Sequence, residues 1–347
     1  MTVSTTAETS TLPAHRPAPG TATLVDSSIF VFRAWFSRGE QPDARGRPGG
    51  AVHGFVHSLC QWLPAVPPGP VAFAFDASLR TGFRHRLDPG YKAHRPPAPE
   101  ALREQFGRIR ELLDCLGLTQ LAHADFEADD LIATLAAAAR RQGIPVQVMS
   151  ADKDLAQVIL GDDDLLRDPE RGTTATRRDI ERRLRIRPEQ VADMLALAGD
   201  RCDNIPGLAG VGPATAARML RRLGDLEAIL TDPQAVRRCG IRGAARIAEQ
   251  VACGEAALRL ARQLTGLVTD VPGLPDHAAL LPRGPVPGAR ERLEKLGVAA
   301  RYRSRLLGIA HHLAQDSAQD SARNPAPDPT EYPAHELAQS HRRLAQP

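Results

Sequence analysis

The sequence predicts an α/β fold with a mainly parallel central sheet and helices on both faces, followed by a mostly helical unit. Three observations carry this. The run at 71–75 is continuously apolar and those at 21–25 and 146–149 are short and mostly apolar, the pattern of strands buried on both faces. Helical segments separate the strands, as parallel crossovers require. Beyond Pro188 the chain reads as helices around a glycine-rich turn. Each apolar run leads directly to acidic residues: Asp26, Asp76, and the pair Asp152 and Asp154. Ligands of parallel sheets bind outside the carboxyl ends of the strands. These four acids are therefore expected at one edge.

In chain order, residues 1–20 are rich in Thr, Pro, Ala and Ser without periodicity and are expected to be disordered. Asp26 follows the first strand, and the run 29–36 reads as a buried helix carrying Arg33. Glycine and proline make 39–50 a loop, 51–63 reads as a helix and 64–70 as a turn. The segment 80–95 carries Arg80, Arg84, Arg86, Lys92 and Arg95, interleaved with Phe83, Tyr91 and His94. It is either a solvated loop or a surface for single-stranded nucleic acid, where cations meet phosphates and aromatic rings stack on bases. Pro96, Pro97 and Pro99 then break the chain before a helix over 100–116.

The helix expected over 128–142 begins with Glu127, Asp129 and Asp130, three carboxylates in four positions. Glu127 and Asp130 share a helix face. At ~4 Å two like charges repel by about 4 kcal/mol at an effective dielectric near 20. A helix N-terminus offsets less than about 1 kcal/mol per charge. The cluster is either an ordinary acidic first turn or part of a cation site. A strand-terminal Asp taken singly is also an ordinary turn or cap residue, but three such strand ends in register with the Glu127 cluster favour the cation site.

Short strands are expected at 165–167 and 173–176, and 177–187 is strongly basic. The boundary between units is placed at 187/188, with the second unit running to 313. Within it, Gly199 to Pro213 forms a helix, glycine-rich turn, helix pattern. Gly207, Gly210 and Gly212 permit turn geometry, and the free amides at the next helix start can bind phosphate without reading sequence. Arg218, Arg221 and Arg222 add charge, while Asp200 and Asp203 place two more acids just before the turn. The Gln-Asp-Ser-Ala repeats and prolines from 314 to 347 suggest a second disordered tail.

Composition excludes several classes. Five cysteines form neither a CxxC pair nor a Cys/His zinc spacing, so neither a zinc site nor a disulfide framework is indicated. No apolar run approaches the ~20 residues that span a bilayer, and the first twenty residues lack a signal-peptide core. A cytoplasmic protein without membrane contact is the expectation. The net charge of +3 is too mild to decide on nucleic acid, since a basic surface and an acidic site cancel in the sum. Lys92, Lys153 and Lys295 are the only lysines.

Six segments together resemble the bacterial 5′-3′ exonuclease and flap endonuclease family, including the nuclease domain at the start of DNA polymerase I. They are LVDSSIFVFRAWF (24–36), FAFDASLRTGFRH (73–85), YKAHRPPAPE (91–100), FEADDLIATLA (126–136), MSADKDLAQVI (149–159) and LALAGDRCDNIPGLAGVGPATAA (195–217). The resemblance covers about residues 21–300. It implies a PIN or resolvase-like nuclease domain over 21–187 with a helical arch at about 80–116, and a helix-hairpin-helix domain over 188–313.

It also implies two Mg2+ or Mn2+ ions held by Asp26, Asp76, Glu127, Asp129, Asp130, Asp152, Asp154, Asp200 and Asp203, all present here. Oxygen-only ligands suit such ions. K+ is a further candidate at the hairpin. By the same resemblance Lys92, Arg95 and Arg33 are catalytic cations, and Arg80, Arg84, Tyr91, Gly207, Gly210, Gly212 and Arg218 are DNA contacts. The implied substrate is DNA with 5′ ends or 5′ flaps, cleaved by a monomer, with a separate DNA polymerase as a candidate partner. The sequence departs from the family at Ala214, where a lysine is usual. A stand-alone nuclease is expected, because no polymerase follows. Two alternatives are a silent DNA-binding protein of the same fold, which intact acids oppose, and a related RNase, which the duplex-gripping hairpin disfavours.

Overall fold

The computed structural model describes residues 17–39, 41–43, 45–77 and 80–323. The chain passes through β1 (Ala22–Asp26), α1 (Ser27–Arg38), α2 (Gly50–Trp62), β2 (Val71–Asp76), the short α3 (Phe83–Leu87) and α4 (Glu100–Cys115). Next come β3 (Thr119–His123), α5 (Ala128–Arg141), β4 (Val146–Met149), β5 (Leu165–Asp168), β6 (Thr173–Thr176) and α6 (Arg177–Leu184). A helical unit follows, with α7 (Val191–Ala198), α8 (Pro213–Leu223), α9 (Leu226–Thr231), α10 (Ala244–Cys253) and α11 (Glu255–Thr265). The last described elements are α12 (Ala289–Lys295) and α13 (Ala300–Arg323).

The strands form one sheet in the order β3-β2-β1-β4-β5-β6, parallel except for the β5–β6 hairpin. Side chains alternate between its faces. Ala22, Leu24, Ala72 and Ala74 enter a core with α5 and the helical unit, while Val25, Val71, Phe73 and Phe75 enter another with α1, α2 and α4. This alternation is the two-residue period of a pleated strand. The order reverses between β1 and β4, which makes the carboxyl ends of those strands the switch point where ligands of open α/β sheets bind. β3 escapes sequence reading because Thr119–His123 has no apolar run and all five residues are only half-buried, as suits an edge strand.

Three expectations change. The arch was expected over 80–116, but α4 lies on the sheet with Leu102, Ile109, Leu112 and Leu113 buried, so only 80–95 reaches toward the helical unit. The second unit was expected to extend to 313. Instead, Leu293, Leu306, Ala310 and Leu313 of α12 and α13 pack into the core of α2 and α4. The tail expected from 314 is helical as far as Arg323. Ser317 continues the buried stripe of Leu306, Ala310 and Leu313, and its hydroxyl accepts from the Gly69 N–H at 3.0 Å. Of the two expected tails, 1–16 and 324–347 lie outside the described residues.

Candidate metal and nucleic-acid site

Asp26, Asp76, Glu127, Asp129, Asp152, Asp154, Asp200 and Asp203 line a single cavity of about 220 Å³ at the carboxyl edge of the sheet. Eight of the nine expected acids therefore meet. Each element delivers its share for a local reason. β1 ends in Asp26, whose Oδ2 accepts from Ser150 Oγ at 2.7 Å and so links the two strand ends across the switch point. β2 ends in Asp76, whose Oδ1 accepts from the Ala128 N–H at 2.9 Å and fixes the start of α5. After β4, the Asp152 N–H donates to Ser150 Oγ at 2.9 Å and the Asp154 N–H to Asp152 Oδ1 at 2.8 Å, a tight turn that presents both carboxylates.

Asp200 and Asp203 arrive from the helical unit. Asp200 and Ile205 exchange backbone hydrogen bonds at 2.9 and 2.7 Å, closing the loop that carries Asp203. Gly199, at φ +78°, allows the reversal after α7. At Gly207 a Cβ would lie 2.2 Å from the Ala198 carbonyl carbon, so only glycine permits this closure.

The segment 80–95 is drawn onto this edge. Lys92 Nζ lies 2.9 Å from both Glu127 oxygens and 3.7 Å from Asp203. Its backbone N–H donates to the Asp203 carbonyl at 2.9 Å. Arg95 Nη2 bonds Asp203 Oδ1 at 2.8 Å. Both cations line the cavity.

Burial, and then repulsion from Asp76 and Asp152, pushes Asp26 up to about 7 even though the Ser150 hydrogen bond opposes it. Burial and repulsion from Asp26, Asp152 and Asp76 raise Asp129 as well. Asp154 is pushed up to about 8 by burial and Asp152. Glu127 moves the other way: burial would raise it, but Lys92 and Arg84 outweigh that and hold it below its ordinary value. The cavity is therefore poor in cations beside Asp26, Asp129 and Asp154 and well supplied at Glu127.

The donor set fits a hard divalent cation, being all oxygen and strongly acidic, with carboxylates whose mutual repulsion such an ion offsets. The arrangement is looser than a closed coordination shell. Among the described residues, no three His, Cys, Asp or Glu side chains form a group that could hold an ion. Asp26, Asp76, Asp129, Asp152, Asp154 and Asp200 line the cavity without forming such a group.

Other site expectations are corrected. Asp130 is fully buried and faces away from the cavity. Its oxygens take a bidentate pair from Arg84 at 2.6 and 2.8 Å, and the N–H groups of Glu127 and Val268 also donate to it. Arg84, also buried, donates further to the carbonyls of Leu264 and Gly266, so it ties α3 to α5 and the end of α11 at the cavity wall rather than on an exposed surface. Tyr91 is 2% exposed, with its hydroxyl 3.0 Å from Glu127 and 3.1 Å from Asp203, which removes it as a base-stacking surface. Arg33 lies outside the cavity wall and forms a bidentate pair with Asp168 at 2.9 and 2.8 Å, bracing α1 against β5.

Arg80 and Arg218 remain exposed. Gly212 caps α8, whereas Gly210, at φ +84°, is covered by the Arg246 guanidinium. Sequence reading assigned no role to Gln157 or Thr265, which also line the cavity; Gln157 Nε2 donates to the Thr265 carbonyl at 3.1 Å. No local pattern marks them, because they meet only when α11 packs beside the sheet.

A family model described as 5′-3′ exonuclease, N-terminal resolvase-like domain, matches residues 21–193, and one described as 5′-3′ exonuclease, C-terminal SAM fold, matches 186–285. The chain is 35% identical over 207 residues to a 5′-3′ exonuclease of Aquifex aeolicus, covering 60% of this chain and 71% of that protein. It is 38% identical over 261 residues to the thermostable DNA polymerase I of Thermus thermophilus, covering 75% of this chain but only 30% of the polymerase. Among solved structures it is similar to T5 5′-exonuclease with divalent zinc bound, at TM-score 0.57 and 19% identity, covering 85% of this chain and 99% of that one. It is also similar to the catalytic core of Rad2 in complex with DNA substrate, at TM-score 0.52 and 15% identity, covering 85% and 92%. At these identities the structural likenesses establish the fold. No helix among the described residues is long and apolar enough to cross a membrane.

Proposed function

The chain belongs to the 5′-3′ exonuclease family, and we propose that it hydrolyses DNA phosphodiesters from 5′ ends and at 5′ flaps with Mg2+ or Mn2+. The observation that carries this reading is the acidic cavity at the sheet's switch point, with Lys92 and Arg95 on its wall and the glycine hairpin beside it. Divalent ions at these carboxylates would supply an activated water and neutralise the phosphate. The chain's own residues do the rest. Lys92, fixed by Glu127, brings positive charge to the place where a phosphate enters. Arg95 anchors 80–95 to the Asp203 loop, so the acids of the sheet and of the helical unit stay in one geometry. The α8 N-terminus offers free amides to a duplex phosphate. Relatives that join this nuclease unit to a polymerase support a DNA polymerase as the source of the flaps.

The test is cleavage of an end-labelled 5′-flap duplex with Mg2+, Mn2+ or EDTA, in K+ and in Na+ buffers to probe the hairpin for a monovalent ion. Metal-dependent release of the flap and of short 5′ products is expected, abolished by EDTA and by Asp129→Asn. Cleavage of single-stranded RNA in preference to the flap would overturn the DNA assignment. Binding without cleavage in either metal would make the chain a DNA-binding protein only.

A further inference from the structure

Gln157 lines the acidic cavity without carrying charge, and the turn that holds it also holds Asp154. That turn, Asp154–Val158, is a 3-10 helix in which Leu155, Ala156 and Val158 are buried. Side chains three positions apart eclipse in such a helix, so Asp154 and Gln157 share the side that faces the cavity. The amide is held from behind. Its Nε2 donates to the Thr265 carbonyl at 3.1 Å, and Thr265 Oγ1 donates to the Ala192 carbonyl of α7 at 2.9 Å. The last carbonyls of a helix have no partner within it, and at the end of α11 the cavity wall supplies them: Arg84 serves Leu264 and Gly266, and Gln157 serves Thr265 between them. With Nε2 engaged, Oε1 is the free end. Among the described residues no group donates to it, and it is not sealed from solvent.

A glutamine suits this place because one planar group both donates and accepts. A glutamate could not donate to the Thr265 carbonyl. The cavity acids do not enclose an ion by themselves, and a hard cation such as Mg2+ keeps several of its waters. Those waters need acceptors. Resting on the divalent-ion reading above, we infer that Gln157 Oε1 accepts from a water of the hydrated cation, and that the bond from Nε2 to α11 fixes where that water lies. The place matters because Asp154 comes from the sheet and Asp200 from the helical unit, and the two carboxyls lie within hydrogen-bonding reach of each other. Gln157 stands beside that junction and is bonded to α11. It is a positioning residue, which acts on the cation through water and touches no reacting atom.

The test is calorimetric titration of Mn2+ into the full chain at pH 8 without DNA, for the wild type, Gln157→Leu and Gln157→Glu, with Tm in EDTA measuring folding. Removing a group that orients the ligands of a metal costs about 10–100-fold in metal affinity. Gln157→Leu is expected to bind Mn2+ at least about tenfold more weakly than the wild type. Gln157→Glu loses the bond to Thr265 but keeps an acceptor oxygen, and its affinity is expected to stay nearer to the wild type than to Gln157→Leu. A merely structural amide gives another pattern, a lower Tm in EDTA for both variants with equal Mn2+ affinity in all three proteins, and that overturns the inference. Gln157→Glu binding as weakly as Gln157→Leu overturns it too. If Gln157→Leu does not fold, Gln157→Met, close to glutamine in length and volume, takes its place in the same comparison. Because binding is read without DNA or turnover, the two readings fail separately. Metal-dependent cleavage with Mn2+ affinity independent of Gln157 removes only the role of Gln157, and Gln157-dependent affinity without cleavage removes only the nuclease activity.

Discussion

Lys92 occupies the left-handed region at φ +50°, a conformation that costs a non-glycine residue about 1–3 kcal/mol and persists only where the surroundings impose it. Here the Asp203 carbonyl and the Glu127 carboxylate impose it, and they hold the ammonium at the cavity wall. A cation placed in advance where charge develops acts on the rate. Lys92→Ala is therefore expected to slow single-turnover cleavage by about 10²–10³-fold, the usual effect of removing one transition-state donor. DNA affinity should change far less, and a change confined to affinity would reduce Lys92 to a docking residue. The neighbouring acids separate by role. Removing one partner of a buried ion pair costs about 3–5 kcal/mol, so Asp130→Ala should lower stability in urea titrations by that order. Asp129→Asn removes only a repelled carboxylate and should leave stability in EDTA unchanged or higher while abolishing cleavage. If Asp130→Ala were fully stable yet inactive, the assignment of Asp130 to the Arg84 pair would fail.

At the scale of elements, the hairpin before α8 has the geometry for gripping a phosphate but lacks charge at its tip. Gly212 caps the helix, Pro213 opens it, and Ala214 is exposed in the first turn. Arg218 and Arg221, one and two turns on, are exposed and supply the nearest positive charge along α8. Each phosphate contact contributes about 0.9 to the slope of log affinity against log salt. Ala214→Lys should tighten duplex binding at physiological salt and steepen that slope by up to about 0.9, with single-turnover cleavage at saturating protein unchanged. Unaltered affinity and slope would mean that the start of α8 does not approach the backbone.

For the whole molecule, burying so many acids at one edge makes stability depend on pH in an unusual direction. Burial and repulsion raise Asp26 to about 7 and Asp154 to about 8, against an ordinary value of 3.8. Between these values the folded chain holds protons that the unfolded chain has released. The contribution is thus fully present below about pH 4 and is lost as pH rises through 7 to 8. In EDTA, Tm is expected to fall between pH 5 and pH 8, and millimolar Mg2+ or Mn2+ should stabilise the protein more at pH 8 than at pH 5. A Tm in EDTA that rises across that interval would show that these carboxylates do not share the environment described. The two cores matter to the same site. One joins α5 to the helical unit, so the Asp200 and Asp203 loop is carried by the same packed body as Asp129.

The sequence alone determined the sheet's central strands, their acidic ends and the glycine hairpin, because each is a local matter of apolar runs, turn chemistry and spacing. Of the nine acids it nominated, eight line the cavity: Asp26, Asp76, Asp152 and Asp154 because strand ends in a parallel sheet point to one edge, and Glu127, Asp129, Asp200 and Asp203 from the start of α5 and the loop before the hairpin. Only the tertiary structure separated Asp130 from Asp129. Adjacent positions on a helix diverge by ~100°, and what each side chain meets depends on Arg84 and on the Val268 amide arriving from distant segments. The same holds for Tyr91 and Arg33, whose residue types suit DNA but whose partners, Glu127 and Asp168, lie tens to more than a hundred positions away. The return of α13 to the first core was likewise invisible, because a helix stripe shows which face is buried and not which surface buries it.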